Sequence, residues 1–195
     1  MFQIRIHGRG GQGVVTAAEV LSVAAFIENR EAQAFPSFGS ERMGAPVMAF
    51  CRIDDKPIRL REPIFSPDAL VIQDATLLTN PALLAGLTPN GFVLINTEKS
   101  VSDLQLQSLP HGLPADHMMT VGAGEIARRH IGKPLANLAM LGGLLAITGI
   151  LKLESLQQAI LEKFSGKLGQ ANAASCQEVY QTVKALREGA LQFSK

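Results

Sequence analysis

The chain has 195 residues, enough for one domain (1–195) with a full core. Hydrophobic residues make up 47% and charged residues 18%, the balance of a globular protein with much of its surface covered. The net charge is +1, which supplies no basic field for nucleic acid and no acidic tail for a chaperone-like partner.

In chain order the pattern is α/β. Phe2, Ile4 and Ile6 alternate with Gln3, Arg5 and His7 in a first strand, and Gly8 opens a glycine-rich loop. Residues 14–27 are rich in Ala, Val and Leu and predict a helix ending near Asn29. "EAQAF" predicts a short second strand, "PSFGSERMGAP" a loop, and residues 47–53 a third strand. The turn at Asp54-Asp55 points to a hairpin partner at residues 58–60. Residues 69–73 and 92–96 are short, almost wholly apolar runs, as expected of parallel strands covered on both faces, with a helical signal over 76–85 between them. Beyond Gly122 helices are expected over 125–130, 135–150, 156–164 and 175–192. The expected fold is a doubly wound, mostly parallel sheet with a Rossmann-like start and a helical C-terminal part.

The first strand alternates polar and apolar residues, although a strand feeding a glycine-rich loop is usually apolar on both faces. The helix around 138–151 carries no charge before Lys152. Such a helix is either a central core helix or one sandwiched against a partner subunit. The uncharged run 134–151 is broken by glycines and Asn137, and reads as a buried helix better than as a membrane span. "MFQIRIHG" lacks the apolar stretch of a signal peptide, so a soluble, cytoplasmic protein without membrane partners is expected.

The two cysteines, Cys51 and Cys176, lie far apart with no C-x-x-C spacing. That excludes a cysteine-ligated iron–sulfur cluster or a structural zinc site within this chain alone. The four histidines form no H-E-x-x-H or comparable pair, so no metal ligand is assigned.

Gly8, Gly10 and Gly13 satisfy G-x-G-x-x-G, with a strand before and a helix after. Glycines let backbone N–H groups approach an anion, and the helix N-terminus adds partial positive charge. An NAD site also wants an acidic residue at the end of the second strand, where this chain reads Ala32-Gln33-Ala34-Phe35. No Walker lysine follows Gly13. Ser37, Ser40 and Arg42 lie just beyond the second strand and suit a phosphate, although Arg42 could equally pair with Glu41. Placed between strand and helix, the loop points to phosphate binding, with a tight turn that holds no ligand as the alternative. Arg128, Arg129 and His130 complement a helix C-terminus. Asn137 is expected to cap the apolar helix.

"GRGGQGVVTAAEVL", followed by "QAFPSFGSERMGAPVMAFCRI" and later "PLANLAMLGGLLAITG", resembles the gamma subunit of 2-oxoacid:acceptor oxidoreductases, the pyruvate:ferredoxin oxidoreductase family, over residues 3–185. The resemblance implies a subunit, without catalytic residues of its own, of a complex that oxidatively decarboxylates a 2-oxoacid to its acyl-CoA. It implies partner alpha, beta and ferredoxin-like delta subunits, with thiamine diphosphate, Mg and 4Fe–4S clusters in those chains. By position Gly8, Arg9, Gly10, Gly11, Gln12 and Gly13 would face coenzyme A near its pyrophosphate, with Ser37, Ser40 and Arg42 alongside. Met43 stands where many relatives carry a further basic residue. The alternatives are an indolepyruvate- or aryl-glyoxylate-type relative, a purely structural scaffold subunit, and a free-standing nucleotide-binding protein.

Overall fold

The computed structural model describes residues 1–37, 43–104 and 113–193. Six strands form one sheet: β1 (Phe2–Arg9), β2 (Glu31–Pro36), β3 (Pro46–Asp54), β4 (Ala69–Ile72), β5 (Phe92–Asn96) and β6 (Met118–Val121). Their order is β2-β3-β1-β4-β5-β6. β1, β4, β5 and β6 pair in parallel, whereas β3 runs antiparallel to both neighbours, with Ile4 opposite Cys51 and Ala34 opposite Cys51 on its other edge. The expected α/β, mostly parallel fold is therefore present, with one reversed strand inserted between β1 and β2.

Five α-helices pack on one face: α1 (Val14–Ile27), α2 (Ala123–Ile131), α3 (Asn137–Thr148), α4 (Leu153–Lys163) and α5 (Gly166–Phe193). Ile4, Ile6, Val71 and Leu94 point into them, and their neighbours Leu70, Ile72, Val93 and Ile95 point the other way. That second face is covered by two 3-10 turns, Ala75–Thr79 and Pro81–Leu84, which bury Leu77, Leu83 and Leu84. The helical signal over 76–85 is thus real but does not make an α-helix. Asp74 caps the first turn through the Thr76 N–H, Asn80 caps the second through the Ala82 N–H, and Pro81 disfavours α geometry at Asn80.

One expected strand is absent and one strand that was not expected is present. Residues 58–60 form no hairpin strand, because β2 and β1 already occupy both edges of β3. The strand β6, with the sequence "MMTV", carries too short a pattern to have been predicted. The apolar helix α3 proves to be a core helix of this chain. Gly142 approaches the Cys176 carbonyl of α5, and Gly143 approaches Leu94, Val179 and Val183. No partner is needed to bury it. The polar residues of the alternating β1 are also covered within this chain, with Arg5 and His7 buried beneath the sheet.

Candidate functional site

The loop between β1 and α1 is fastened on both sides. The Gly10 N–H donates to the Ala45 carbonyl at 2.9 Å and the Gly10 carbonyl accepts from the Gly44 N–H at 3.1 Å. The Gln12 side-chain oxygen accepts from the Arg9 N–H at 2.8 Å. Gly11 (φ +92°) and Gly13 (φ +70°) hold left-handed conformations that side chains strain. At two glycines the close approach is made by the chain itself: a Cβ on Gly13 would lie 2.3 Å from Asn137 Nδ2, and one on Gly8 would lie 2.6 Å from Val14 Cγ2. Gly11 differs. It is exposed, and only the flexible Met43 thioether comes near.

Arg9 has partners within the chain. Its Nε donates to Asp74 Oδ2 at 3.1 Å, Nη1 to the Gly44 carbonyl at 3.0 Å and Nη2 to the Thr76 hydroxyl at 2.7 Å. Asp74 also accepts from Gln12 Nε2 at 3.1 Å and from the Thr76 hydroxyl at 2.6 Å. Burial works to raise the Asp74 carboxyl, but hydrogen bonds from Thr76 and Gln12 and the Arg9 charge hold it below the usual range. Asp74 was missed in the sequence reading. Its signal was the capping pattern "DAT" directly after an apolar strand.

The start of α1 suits an anion. Gly13 offers no side-chain cap and the first turn holds no acidic residue, so no side chain at this end caps the leading N–H groups or opposes the helix dipole. Beside the loop the amide of Gln73, only 4% exposed, finds no hydrogen-bond partner through either atom. Gln73 lines, with Gln12 and Asn96, a small pocket of about 50 Å³. Asn137 does not cap α3. It is the first residue of that helix, and its Nδ2 donates to the Gly13 carbonyl at 3.2 Å, tying α3 to the loop. Ser37 lines, with Arg9, a cavity on the face of the sheet away from α1, and its N–H donates to the Met48 carbonyl at 2.9 Å. Ser40 and Arg42 fall outside the described residues.

Beneath the sheet, Arg5 Nε donates to His7 Nε2 at 3.1 Å, which leaves the neutral imidazole its proton on Nδ1. Burial, with the Arg5 charge beside it, pulls the His7 imidazole from its usual 6.5 to about 3. A group whose folded pKa is depressed gives stability that is fully present above its unfolded pKa and is lost as pH falls. Stability should therefore drop between about pH 6.5 and pH 3, approaching roughly 1.4 kcal/mol per pH unit at the steepest. Urea titrations across that range should show this component missing from His7→Gln. An unchanged slope in the variant would assign the acid sensitivity elsewhere.

The remaining reactive groups are structural. Arg128 pairs with Glu125 at 3.1 Å, and Arg129 and His130 both meet Glu178 of α5, which adds a tertiary role to the expected helix-end complementation. Burial pushes the Cys51 and Cys176 thiols up to about 12, out of the reactive range. Among the described residues no cluster of three His, Cys, Asp or Glu side chains could hold a metal, and no helix is long and apolar enough to cross a membrane.

Known proteins match this chain along nearly its whole length. The family model described as pyruvate ferredoxin/flavodoxin oxidoreductase matches residues 3–182. The pyruvate/ketoisovalerate oxidoreductases common subunit gamma of Thermococcus kodakarensis is 49% identical over 182 residues, covering 92% of this chain and 96% of that one. The solved structure of pyruvate oxidoreductase subunit PORC from Thermotoga maritima superposes with a TM-score of 0.80 at 35% identity, covering 92% of this chain and 95% of that one. A 2-oxoglutarate:ferredoxin oxidoreductase from Magnetococcus marinus, solved with 2-oxoglutarate, coenzyme A and succinyl-CoA bound, shares the fold with a TM-score of 0.72 at 19% identity, over 96% of this chain and 31% of that one. The chain belongs to the pyruvate ferredoxin/flavodoxin oxidoreductase family, as a gamma subunit of a 2-oxoacid:ferredoxin oxidoreductase complex.

Proposed function

We propose that this gamma subunit helps hold coenzyme A for the acyl-transfer step of its complex, at the start of α1, and braces the assembly. The observation that carries the reading is the uncapped N-terminus of α1 behind the exposed, left-handed Gly11, with no acidic residue in the first turn to repel a phosphate. The orphaned amide of Gln73 beside the loop adds an unused donor and acceptor. Gly10, Gly11, Gln12 and Gly13 line the approach. Gly8 and Arg9 act from behind, shaping the turn and fixing it to Asp74. Ser37, Ser40 and Arg42 keep their proposed role by sequence position.

In this reading thiamine diphosphate with Mg and the 4Fe–4S clusters reside in alpha, beta and ferredoxin-like delta subunits, where they supply decarboxylation and electron transfer. This chain supplies binding and orientation: its fixed loop places the pyrophosphate, and so confines the thiol arm to a limited arc. The 2-oxoacid pocket lies in other chains. The Thermococcus relative, named a common subunit of pyruvate and ketoisovalerate oxidoreductases, supports that division.

A second reading, the pure scaffold, is favoured by one observation: at Gly8 and Gly13 the chain's own side chains already fill the space a Cβ would take. Two measurements separate the readings. The tagged chain, expressed with its neighbours, should co-purify with larger subunits and oxidise no 2-oxoacid alone. An active monomer would overturn its place as an accessory subunit. Coenzyme A should also raise the melting temperature of the assembled complex, and a Gly11→Val complex should lose that shift. Equal shifts in both would favour the scaffold.

A further inference from the structure

A cavity of about 480 Å³ lies on the other side of the sheet from α1, between β1, β3 and the two 3-10 turns. That is the size range of small-molecule pockets. Arg5 and His7 form its floor, Met48, Leu77 and Leu83 its apolar walls, and Ala82 stands exposed at its margin.

Its charge is unbalanced. Arg5 is 8% exposed, and its Nη2 donates to the Leu83 carbonyl at 2.8 Å and the Ala85 carbonyl at 2.9 Å while Nε donates to His7. Among the described residues no carboxylate pairs with it and no acceptor meets its Nη1. Burial lowers the Arg5 pKa with no opposing charge to raise it. The neighbouring buried arginine shows the contrast. Arg52 engages Gln3 at 3.2 Å, Gln33 at 3.0 Å and the Glu62 carbonyl at 2.6 Å through all three nitrogens, and it lies over the Phe35 ring. His7 adds a second donor at Nδ1, since its Nε2 already accepts from Arg5. Arg9, at the edge of the cavity, is neutralised by Asp74.

A buried cation without a counter-charge is costly unless an anion joins it. Among the described residues the lining thus carries one uncompensated positive charge, set among apolar walls. One charge suits a monoanionic carboxylate better than a dianionic phosphate. We propose that this cavity binds a small organic carboxylate with an apolar body, its carboxylate on Arg5 Nη1 and His7 Nδ1–H and its body against Met48, Leu77 and Leu83. Arg9 and Ser37, both part of the coenzyme A reading, reach the edge of this cavity, but the proposal does not rest on that reading, because its anchors are Arg5 and His7, which that reading does not use.

Calorimetric titration of the full chain tests this with four probes: phenylpropionate, phenylpropionamide, phenylpyruvate and inorganic phosphate. Phenylpropionate should bind, and the neutral amide and phosphate should bind at least about 10-fold more weakly. Phenylpyruvate should bind about as tightly as phenylpropionate, since the proposed contacts are to the carboxylate and the apolar body and not to a 2-oxo group, and binding of phenylpyruvate alone would overturn the proposal. Arg5→Gln should weaken the acid by about 10-fold to 100-fold, with partial recovery in Arg5→Lys. Ala82→Phe, at an exposed position that leaves the core untouched, should block entry should Arg5→Gln fail to fold. No binding by the wild type, equal binding of acid and amide, or wild-type affinity in Ala82→Phe would overturn the proposal.

Discussion

Alanine in place of Gly142 should lower the melting temperature by roughly 4–8 °C. The added Cβ would lie 2.1 Å from the Cys176 carbonyl oxygen, a backbone atom held within the long helix α5. Backbone cannot rotate aside as a side-chain tip can, so α3 and α5 must move apart. Overpacking of this kind costs about 3 kcal/mol or more, against a gain of about 1 kcal/mol from better helix propensity. A net loss of that size corresponds to several degrees per chain of this length. Gly189 in the same α5 provides the control, since its Cβ would meet nothing within 4 Å. Gly189→Ala should leave the melting temperature level or raise it slightly. Scanning calorimetry of both variants reads the difference, and a mild Gly142→Ala would show that the two helices do not pack this closely.

The second large effect is expected at Gly11. Valine there is strained by the left-handed backbone and puts a branched side chain where a phosphate would approach. Only the exposed Met43 thioether must give way, so the fold and the assembly should survive. In steady-state assays of the assembled complex the apparent KM for coenzyme A should rise about 10-fold to 100-fold, the equivalent of one or two charge-assisted contacts. The KM for the 2-oxoacid should hold. Equal loss for both substrates, with a lower melting temperature, would instead mark damage to the subunit as a whole.

The parts of the fold that could be read in advance are those where one local signal had no competitor. Ile4 and Ile6, the Ala-rich α1 and the apolar runs of β4 and β5 carry their structure in their own periodicity. The antiparallel insertion of β3 could not be read, because its residues, "PVMAFCRID", suit either direction and only the pairing with β1 decides it. The turns after Asp74 and Asn80 showed a helical composition, but their side-chain caps close tighter turns than an α-helix. At the site, the glycines marked the loop, whereas the pairing of Arg9 with Asp74, far along the chain, left no local trace. Arg5 and His7 were read as polar residues on a strand. Their burial follows from the 3-10 turns folding over that face, a long-range contact with no trace in the local pattern.

The central claim is a division of labour, in which this chain places coenzyme A while partner chains carry the decarboxylation and electron transfer. A rapid-mixing record of cluster absorbance in the assembled complex, on addition of 2-oxoacid with and without coenzyme A, tests it most directly. With Gly11→Val the clusters should still be reduced by 2-oxoacid alone at the wild-type rate, whereas the response to coenzyme A should shrink and partly return at high concentration. A Gly11→Val complex that assembles normally and keeps the wild-type response to coenzyme A would contradict the account and leave the loop as a turn.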